Sequence, residues 1–416
     1  MNQTEIKPEE TKAKRHYLFN VSVIVAALGY FVDIYDLVLF SIVRIPSLKD
    51  LGVTEQSALL EQGVLLLNMQ MAGMLLGGIF WGVLGDKKGR ISVLFGSILM
   101  YSLANIANGF VTNIEAYAVL RFIAGVGLAG ELGAGITLVS EVLPKEKRGY
   151  GTMVVATIGI SGAILAGIVG EYFGWRTAYF IGGGLGLLLL VLRIGVYESG
   201  MFKNLQQAQV QRGNFLSLFT SRSRFVKYLK CILIGVPIWY VVGILITFSP
   251  EFGEVLQVTE PVTAAKAVSF CYIGLVFGDF ASGYLSQRFR SRKSIVLSFL
   301  VLTGVFIGVY FMSQGVSKEW FYGLCVALGF ASGYWAVFVT IAAEQFGTNL
   351  RATATTTVPN FVRGAVVPLT TAFIALKGSL GLIQSALFLG LLCLAVAVFS
   401  ILTLEETYGK DLDYYE

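Results

Sequence analysis

Two carboxylates interrupt an otherwise apolar stretch near the start of the chain. Asp33 and Asp36 lie in the run FVDIYDLVLF, residues 31–40, inside a longer apolar run at 17–43. About 20 apolar residues in a helix span the hydrocarbon core of a bilayer, and a charge at that depth costs roughly 2.5–3.5 kcal/mol even on insertion scales. Side chains three residues apart share one helix face, and two close carboxylates in a low dielectric do not both ionise readily. The pair is therefore a candidate proton carrier.

Other ionisable side chains also fall inside apolar runs. Glu131 and Arg121 lie in the fourth run and are candidates for proton coupling; the alternatives are a hydrogen-bonded packing residue and an arginine that reaches the interface. Arg363 lies about ten residues into the eleventh run, too deep to reach water, so it is a candidate anchor for an anionic substrate. Arg121 or Arg363 could instead neutralise the aspartate pair. Asp279 lies in the eighth run, and its position is equally compatible with a functional and a structural role.

Aromatic and amide side chains in the same runs are candidate substrate contacts, although rings in such runs commonly face lipid or other helices. The rings are Tyr35, Tyr240, Tyr334, Trp239 and Trp335. The amides are Asn68, Gln70 and Asn360, which a neutral sugar or polyol would use.

The composition indicates an integral membrane protein. Of the 416 residues 55% are hydrophobic and 14% charged, and the mean hydropathy is +0.72, whereas soluble proteins average about 25% charged residues. The first apolar run is too long for a signal peptide and is expected to stay as an uncleaved span.

Several classes of function are disfavoured. The four cysteines lie in apolar runs without CxxC spacing, so no disulfide, metal or cofactor is expected. The net charge of +5 is explained by loop placement rather than by a nucleic-acid partner. No GxxxxGK[ST] loop for ATP occurs, and the chain is not expected to be an enzyme.

Twelve apolar runs can be read along the chain. Their approximate bounds are 17–43, 62–84, 91–112, 117–143, 149–171, 176–197, 228–249, 264–287, 294–313, 319–343, 353–376 and 380–402. The longest polar interruption, 198–227, divides two six-helix bundles, 17–197 and 228–402, and tails are expected at 1–16 and 403–416. If the N-terminus is cytoplasmic, 21 Lys and Arg fall on that face and 6 on the other. This asymmetry predicts that both termini and the central loop are cytoplasmic.

The two halves resemble each other in sequence. GVLGDKKGR at 82–90 follows the second run, and GYLSQRFRSRK at 283–293 follows the eighth. SEVLPKEKRG at 140–149 and AEQFGTNLRA at 343–352 follow the fourth and tenth runs, and each contains Glu and Arg seven residues apart. The matches predict a duplicated six-helix unit.

These motifs make the chain resemble the major facilitator superfamily. The motif that begins at Gly82 matches the superfamily's loop between the second and third helices, and the fourth run resembles its fourth-helix motif. By this resemblance the cytoplasmic charges form a gating network; its members are Gly82, Asp86, Lys87, Gly89, Arg90, Glu141, Arg148, Glu344 and Arg351. The second copy has Gln287 for the acid and Ser291 opposite Arg90, so its latch is expected to be weaker.

Within the superfamily, DIYD resembles the first helix of aromatic-acid/proton symporters, and EQFGTNLRATA resembles a loop of metabolite/proton symporters. The fifth-helix motif of drug antiporters is missing, which disfavours efflux. The glycines of GVGLAG, residues 125–130, satisfy the dinucleotide pattern GxGxxG but lie within a span, so helix packing is expected.

The resemblance implies an all-α, twelve-helix transporter that works by alternating access and functions as a monomer. The prediction is proton-coupled import of a small organic anion across a bacterial inner membrane, with Asp33, Asp36, Glu131 and Arg121 coupling protons. The expected substrate contacts are Arg363, Tyr35, Tyr240, Trp335 and Asn360. Proton-coupled transport of a neutral sugar or polyol is the main alternative, followed by an efflux antiporter and a non-transporting membrane protein.

Overall fold

The computed structural model describes residues 21–88, 90–131, 155–198 and 215–410. Within these ranges the regular structure is helical, with no strand. Ten of the described helices are long and apolar enough to cross a membrane, and the shorter helix Val93–Asn108 is also apolar. The prediction of an all-α membrane protein is confirmed.

The first six predicted spans coincide with helices Val21–Asp50, Gln56–Lys88, Arg90–Asn108, Ile114–Leu128, Gly162–Tyr172 and Trp175–Glu198. The described part of the fourth span extends to Glu131, and the fifth span is helical from Val155. We call the face at which the first span ends the predicted outer face and the opposite one the predicted inner face.

The remaining six predicted spans also coincide with helices, and two of them are broken in the middle. The seventh is Arg222–Tyr240 continued by the π-helical segment Val241–Ile246; the eighth is Ala264–Arg288 and the ninth Arg292–Met312. The tenth consists of Lys318–Ser332 and Trp335–Glu344, the eleventh of Thr348–Gly364 and Val366–Leu380, and the twelfth is Leu382–Thr403. Two short helices, Phe215–Leu218 and Ser249–Val255, flank the seventh span.

Helix packing repeats between the two halves. In the first half the second span packs on the fourth, the third on the fourth and sixth, and the first on the fifth and sixth. Raising every ordinal by six gives pairs that also pack in the second half. Between the halves, the fifth span packs on the eighth and the eleventh on the second. These two contacts are equivalent, because the fifth and eleventh spans correspond to each other in the repeat, as do the second and eighth. The chain therefore has the pseudo-symmetry that its repeated sequence predicts.

The glycines of GVGLAG serve helix packing. A Cβ on Gly125 would lie 2.9 Å from the carbonyl carbon of Gln70, and one on Gly127 would lie 2.7 Å from the backbone nitrogen of Tyr101. The fourth span thus approaches the second and third spans more closely than a side chain would allow. This confirms that the GxGxxG pattern is not a nucleotide loop here.

The breaks in the tenth and eleventh spans place two side chains at the centre of the molecule. The tenth span restarts at Trp335, where Asp279 on the eighth span accepts a hydrogen bond from the backbone N–H of Ala336 at 2.7 Å. Asp279 therefore caps an internal helix N-terminus, which is the structural alternative for this residue. In the eleventh span the first helix ends at Gly364, just before Pro368, which cannot donate to the preceding turn. Arg363 lies in the last turn before that break.

Candidate functional site

A cavity lined by residues of both halves lies between them. From the first half Tyr30, Ile34 and Ile160 line it. From the second half the lining includes the rings of Trp239, Tyr272 and Trp335 and the guanidinium-bearing Arg363. Among these residues Arg363 is the one permanent charge, so the cavity is an aromatic chamber with a single cation.

Arg363 is buried, with 1% of its surface exposed. Its guanidinium carbon lies 5.6 Å from the ring centre of Trp335 and 5.9 Å from that of Trp239. The two indole rings offer favourable cation–π contacts, and the C-terminal end of the helix favours a positive charge. Its Nε and Nη1 groups nevertheless have no hydrogen-bond acceptor. Since an arginine carries five donors in a planar fork, this arrangement leaves donors open to a carboxylate.

Asp33 and Asp36 are both fully buried, and none of their four carboxylate oxygens accepts a hydrogen bond. The cation whose charge acts most on Asp33 is Arg363, whereas for Asp36 it is Arg121. Because a buried carboxylate without donors is costly when ionised, the arrangement suits groups that hold and release protons. The structure thus associates one aspartate with each of the two arginines named from the sequence.

Arg121 joins the second, third and fourth spans. It donates to the side-chain oxygen of Asn105 at 2.6 Å and to that of Gln70 at 3.4 Å, and its guanidinium carbon lies 4.9 Å from the ring centre of Tyr179. It does not reach the interface, because it is fully buried. Gln70 in turn donates to the carbonyl of Leu37, one residue after Asp36. Arg121 is therefore held beside the aspartate pair by neutral partners.

Glu131 has a partner that the sequence reasoning did not name. Arg193 on the sixth span donates through Nη1 to Glu131 Oε2 at 3.0 Å and through Nη2 to Oε1. Both residues are buried, at 1% and 6% exposure. A bidentate, buried ion pair of this kind is strongly directional. The signal in the sequence was an arginine, Arg193, within the apolar run LLLLVLRIGVY. Because it lies near the end of the span, the sequence was equally compatible with an arginine that reaches the membrane interface.

The other predicted substrate contacts separate into two groups. Trp335 lines the cavity and its indole N–H has no acceptor. Tyr35 and Tyr240 do not line it: their hydroxyls donate to the carbonyls of Ala178 and Ala386, so both rings pack within their own halves. Tyr30 and Tyr272 line the cavity instead and were not predicted.

Asn360 connects the halves near the cavity. Its amide donates to the carbonyl of Ala129 on the fourth span at 3.0 Å, and a Cβ on Gly78 would lie 3.0 Å from it. Asn68 and Gln70 are also engaged elsewhere, Asn68 with Thr370 and Thr371. In this arrangement none of the three amides lines the cavity.

Most of the predicted gating network lies outside the described residues or side chains: Gly89, Glu141 and Arg148, together with the side chains of Asp86, Lys87 and Arg90. Gly82 lies in the second span, and a Cβ there would meet open space. Arg351 lies in the first turn of the eleventh span.

A charge contact does form in the second half. Glu344 accepts from Arg292 at 3.3 Å, and the pair is about 85–89% buried at the side chains. Arg292 follows Ser291, the residue that the motif alignment sets opposite Arg90. A one-residue shift therefore supplies the guanidinium that the aligned serine lacks.

The predicted inner end of the ninth span is capped by the tail of the chain. Glu406 accepts from the hydroxyl of Ser291 at 2.6 Å and from the backbone N–H groups of Arg292 at 3.0 Å and Lys293 at 3.2 Å. Partial burial opposes ionisation of Glu406, but these donors hold the pKa of its carboxyl below the ordinary value of 4.5.

At the predicted outer face the halves are joined by a buried ion pair. Arg44 on the first span, fully buried, donates to Glu251 after the seventh span at 2.8 Å and to the carbonyl of Thr247 at 3.4 Å. Its guanidinium carbon lies 4.7 Å from the ring centre of Phe248. The count of loop charges treated Arg44 as a residue of the outer face; the structure places it at that face but buries it between the halves.

Two matched six-span halves around a small aromatic cavity that holds one buried cation define a membrane transporter. The chain belongs to the Major Facilitator Superfamily, whose family model matches residues 26–366. It is accordingly a transporter embedded in a membrane and not an enzyme, and it acts on a small molecule.

Several curated proteins are similar to the chain over nearly its whole length. The Niacin transporter NiaP of Acinetobacter baylyi is 26% identical, with 94% of each chain covered. The Sialic acid transporter NanX of Escherichia coli is also 26% identical, covering 94% of this chain and 95% of the relative. The Cis,cis-muconate transport protein of Acinetobacter baylyi is 26% identical, covering 88% and 90%.

Proposed function

We propose that the protein imports a small, flat organic anion together with protons, by alternating access across a bacterial inner membrane, as a monomer. The observation that carries the proposal is Arg363, a buried guanidinium on the cavity wall with N–H groups that have no acceptor. The relatives named for niacin and muconate transport support an organic acid as the substrate.

The anion is favoured by the cost of leaving Arg363 without a partner. A buried charge without a compensating group is strongly unfavourable, whereas a carboxylate matches the planar fork of a guanidinium with two parallel hydrogen bonds. The substrate would supply that carboxylate each time it enters. Arg363 then contributes more to binding than a neutral donor would.

A flat, aromatic body is favoured by the rest of the lining. Tyr30, Trp239, Tyr272 and Trp335 present ring surface to the cavity. Offset or edge-on contacts between rings contribute about 0.5–1.5 kcal/mol beyond the area that they bury. A single-ring carboxylic acid would satisfy the rings and the cation together.

Proton coupling is supported by Asp33 and Asp36, which are buried without donors. A proton on either carboxyl removes a charge that the surroundings stabilise poorly. Import driven by a pH gradient would use this property: the carboxyl groups load protons on the acidic side and lose them on the alkaline side. Arg121, beside Asp36, would make release easier by stabilising the anion.

A neutral sugar is less well supported by this cavity. Sugar recognition needs amides and hydroxyls that point at the ligand, and Asn68, Gln70 and Asn360 are engaged elsewhere. The efflux alternative concerns direction alone and is separated from import by transport measurements.

Binding by the purified protein tests the proposal. Nicotinate, benzoate and cis,cis-muconate should each raise the melting temperature, because a ligand that binds only the folded state stabilises it by mass action. Glucose and sorbitol should leave it unchanged. The Arg363→Ala variant should lose the response to all three acids, and stabilisation by the sugars alone would contradict the proposal.

The orientation has a separate test. A single cysteine at Ser199 or Asn204 in the central loop should react only with reagents that reach the cytoplasm. Labelling of either position from outside intact cells would reverse the proposed orientation.

A further inference from the structure

The Glu131–Arg193 ion pair packs against a glycine of the first span. A Cβ on Gly29 would lie 3.2 Å from Cζ of Arg193 and closer still to Glu131 Oε1. Any larger residue at this position would displace the pair. The absent side chain thus lets a buried ion pair from the fourth and sixth spans reach the helix that carries the aspartates.

This contact brings the pair close to Asp33. Gly29 and Asp33 are four residues apart in one helix, so they lie on the same face, about 6 Å from each other. The first span runs from the predicted inner to the predicted outer face, and Gly29 therefore lies on the inner side of Asp33. The order from the outer side to the inner side is therefore Asp36, then Asp33, then the Glu131 carboxylate, which lies beside Gly29.

The charges around these groups connect them electrostatically. Asp33 is acted on by Arg363, Glu131 and Arg193. Tyr101 on the third span has a fully buried hydroxyl without a hydrogen-bond partner, and Glu131, Asp36, Asp33 and Arg193 all act on it. Charged groups of the first, fourth, sixth and eleventh spans, together with the neutral Tyr101 hydroxyl of the third, thus lie in one region.

Asp33 and Glu131 differ in how they are held. Asp33 has no donor, whereas both oxygens of Glu131 accept from Arg193. A buried carboxylate in a bidentate ion pair stays ionised as long as the cation remains paired with it. Glu131 is therefore a carboxylate paired with a cation, on the inner side of a carboxyl that is costly to ionise.

We propose that Arg193 is a positioning residue for proton release. The O–H bond of protonated Asp33 breaks, and the proton forms an O–H bond on the Glu131 carboxylate and then passes to water at the predicted inner face. During the transfer from Asp33 to Glu131, Arg193 keeps all its protons and shifts its attraction to the newly formed Asp33 carboxylate, so the number of buried charges does not change in this step. Release of the proton from Glu131 to water then leaves Arg193 between two carboxylates. The proposal rests on the proton coupling proposed above.

Paired neutralisation tests the proposal. Arg193→Gln alone leaves Glu131 as a buried unpaired charge, and the protein is expected to be less stable. The double change Glu131→Gln with Arg193→Gln removes both charges, so it should restore a monodisperse, folded protein. Nicotinate exchange at equal pH on both sides should then remain measurable, whereas accumulation driven by a pH gradient should be lost.

A purely structural pair predicts a different result. In that case the double variant would regain accumulation along with folding, and this outcome would overturn the proposal. If the native protein itself does not accumulate nicotinate under a pH gradient, the proposed proton coupling fails instead, and the two failures are thus distinguishable.

Gly29→Ala provides a test that keeps every titratable group. Its Cβ should push the pair away from the first span, slowing gradient-driven uptake while exchange at equal pH persists. Gly184→Ala on the sixth span is the matched control, because a Cβ there meets nothing within 4 Å. Equal accumulation in Gly29→Ala and Gly184→Ala would contradict the proposal. A further variant, Arg193→Lys, retains the positive charge but not the planar fork of the guanidinium, and it should retain part of the accumulation.

Discussion

Arg44 donates a 2.8 Å hydrogen bond to Glu251, which joins the first span to the seventh across the boundary between the halves. Neither side chain is more than 9% exposed. Around this pair, Thr247 donates to Ser41 at 3.0 Å and Gln56 to Glu254. In this conformation the halves are therefore in contact at the predicted outer face, and opening toward that face requires Arg44 and Glu251 to separate.

Glu251→Gln should favour the conformation that is open at the predicted outer face. Removing one partner of a buried ion pair costs roughly 3–5 kcal/mol, and this cost falls only on the conformation in which the pair is formed. A cysteine at Ile34 on the cavity wall should then react faster with a membrane-impermeant thiol reagent added from outside. The four native cysteines are buried and give little background.

Asp50→Asn is the control for that measurement. Asp50 pairs with Arg176 at the same face, but both side chains are substantially exposed, at 53% and 37%, and exposed pairs contribute about 0–1 kcal/mol. Unchanged reactivity at Ile34→Cys in Glu251→Gln, or an equal increase in Asp50→Asn, would show that the buried pair does not hold the outer side closed.

Arg363→Lys should weaken nicotinate binding by about tenfold and Arg363→Ala by about a hundredfold, since hydrogen bonds to charged groups contribute about 1.5–3 kcal/mol each. The measurement is a binding isotherm on the purified variants. Asp33 provides the internal check: if Arg363 served only to neutralise this aspartate, combining Arg363→Ala with Asp33→Asn would restore binding. Full restoration would rule out the anchor role.

Asp33→Asn should separate exchange from accumulation. The amide has nearly the size of the carboxyl but does not titrate, so bound substrate can still cross while no proton accompanies it. Uptake by the native protein should rise as the external pH falls, because the carboxyl groups load protons on that side. Exchange in Asp33→Asn should be insensitive to pH; normal accumulation by both Asp33→Asn and Asp36→Asn would refute their proton role.

Glu406→Gln should lower the melting temperature at neutral pH and have little effect in acid. The folded pKa of Glu406 is below 4.5, so the folded state binds fewer protons there than the unfolded state. The stabilisation is therefore present above about pH 4.5 and is lost as the pH falls through the folded value. Glu405→Gln, whose side chain is 82% exposed, is the control, and equal effects of the two changes would contradict the capping role.

The fold was predictable because each membrane span appears in the sequence as a run of apolar residues and because the two halves have similar sequence motifs. Where the structure describes them, the predicted spans match helices. The buried Asp33, Asp36 and Arg363 were recognised because a charge inside an apolar run is unusual. The family was recognised from the loop motif at Gly82 together with the fourth-helix motif and the charge pairs that follow the fourth and tenth spans.

The partners of these charges were less predictable, because they depend on which helix faces meet. Arg44 and Arg193 lie near span ends, where an arginine that reaches the interface and one that is buried have the same local sequence. Tyr35 and Tyr240 look like substrate contacts by type, yet their hydroxyls are satisfied by carbonyls of neighbouring helices. Tyr30 and Tyr272 enter the cavity only because the fifth span packs on the eighth and the first lies beside it.

The central claim is that a carboxylate, bound at Arg363, enters with protons. Nicotinate and nicotinamide test it directly, because they share a ring and differ in whether the substituent carries a charge. Their uptake should be measured in proteoliposomes with an alkaline interior and, as a control, without a pH gradient. The account predicts that nicotinate accumulates above its external concentration only with the gradient and that nicotinamide does not accumulate; accumulation of nicotinamide but not nicotinate would contradict it.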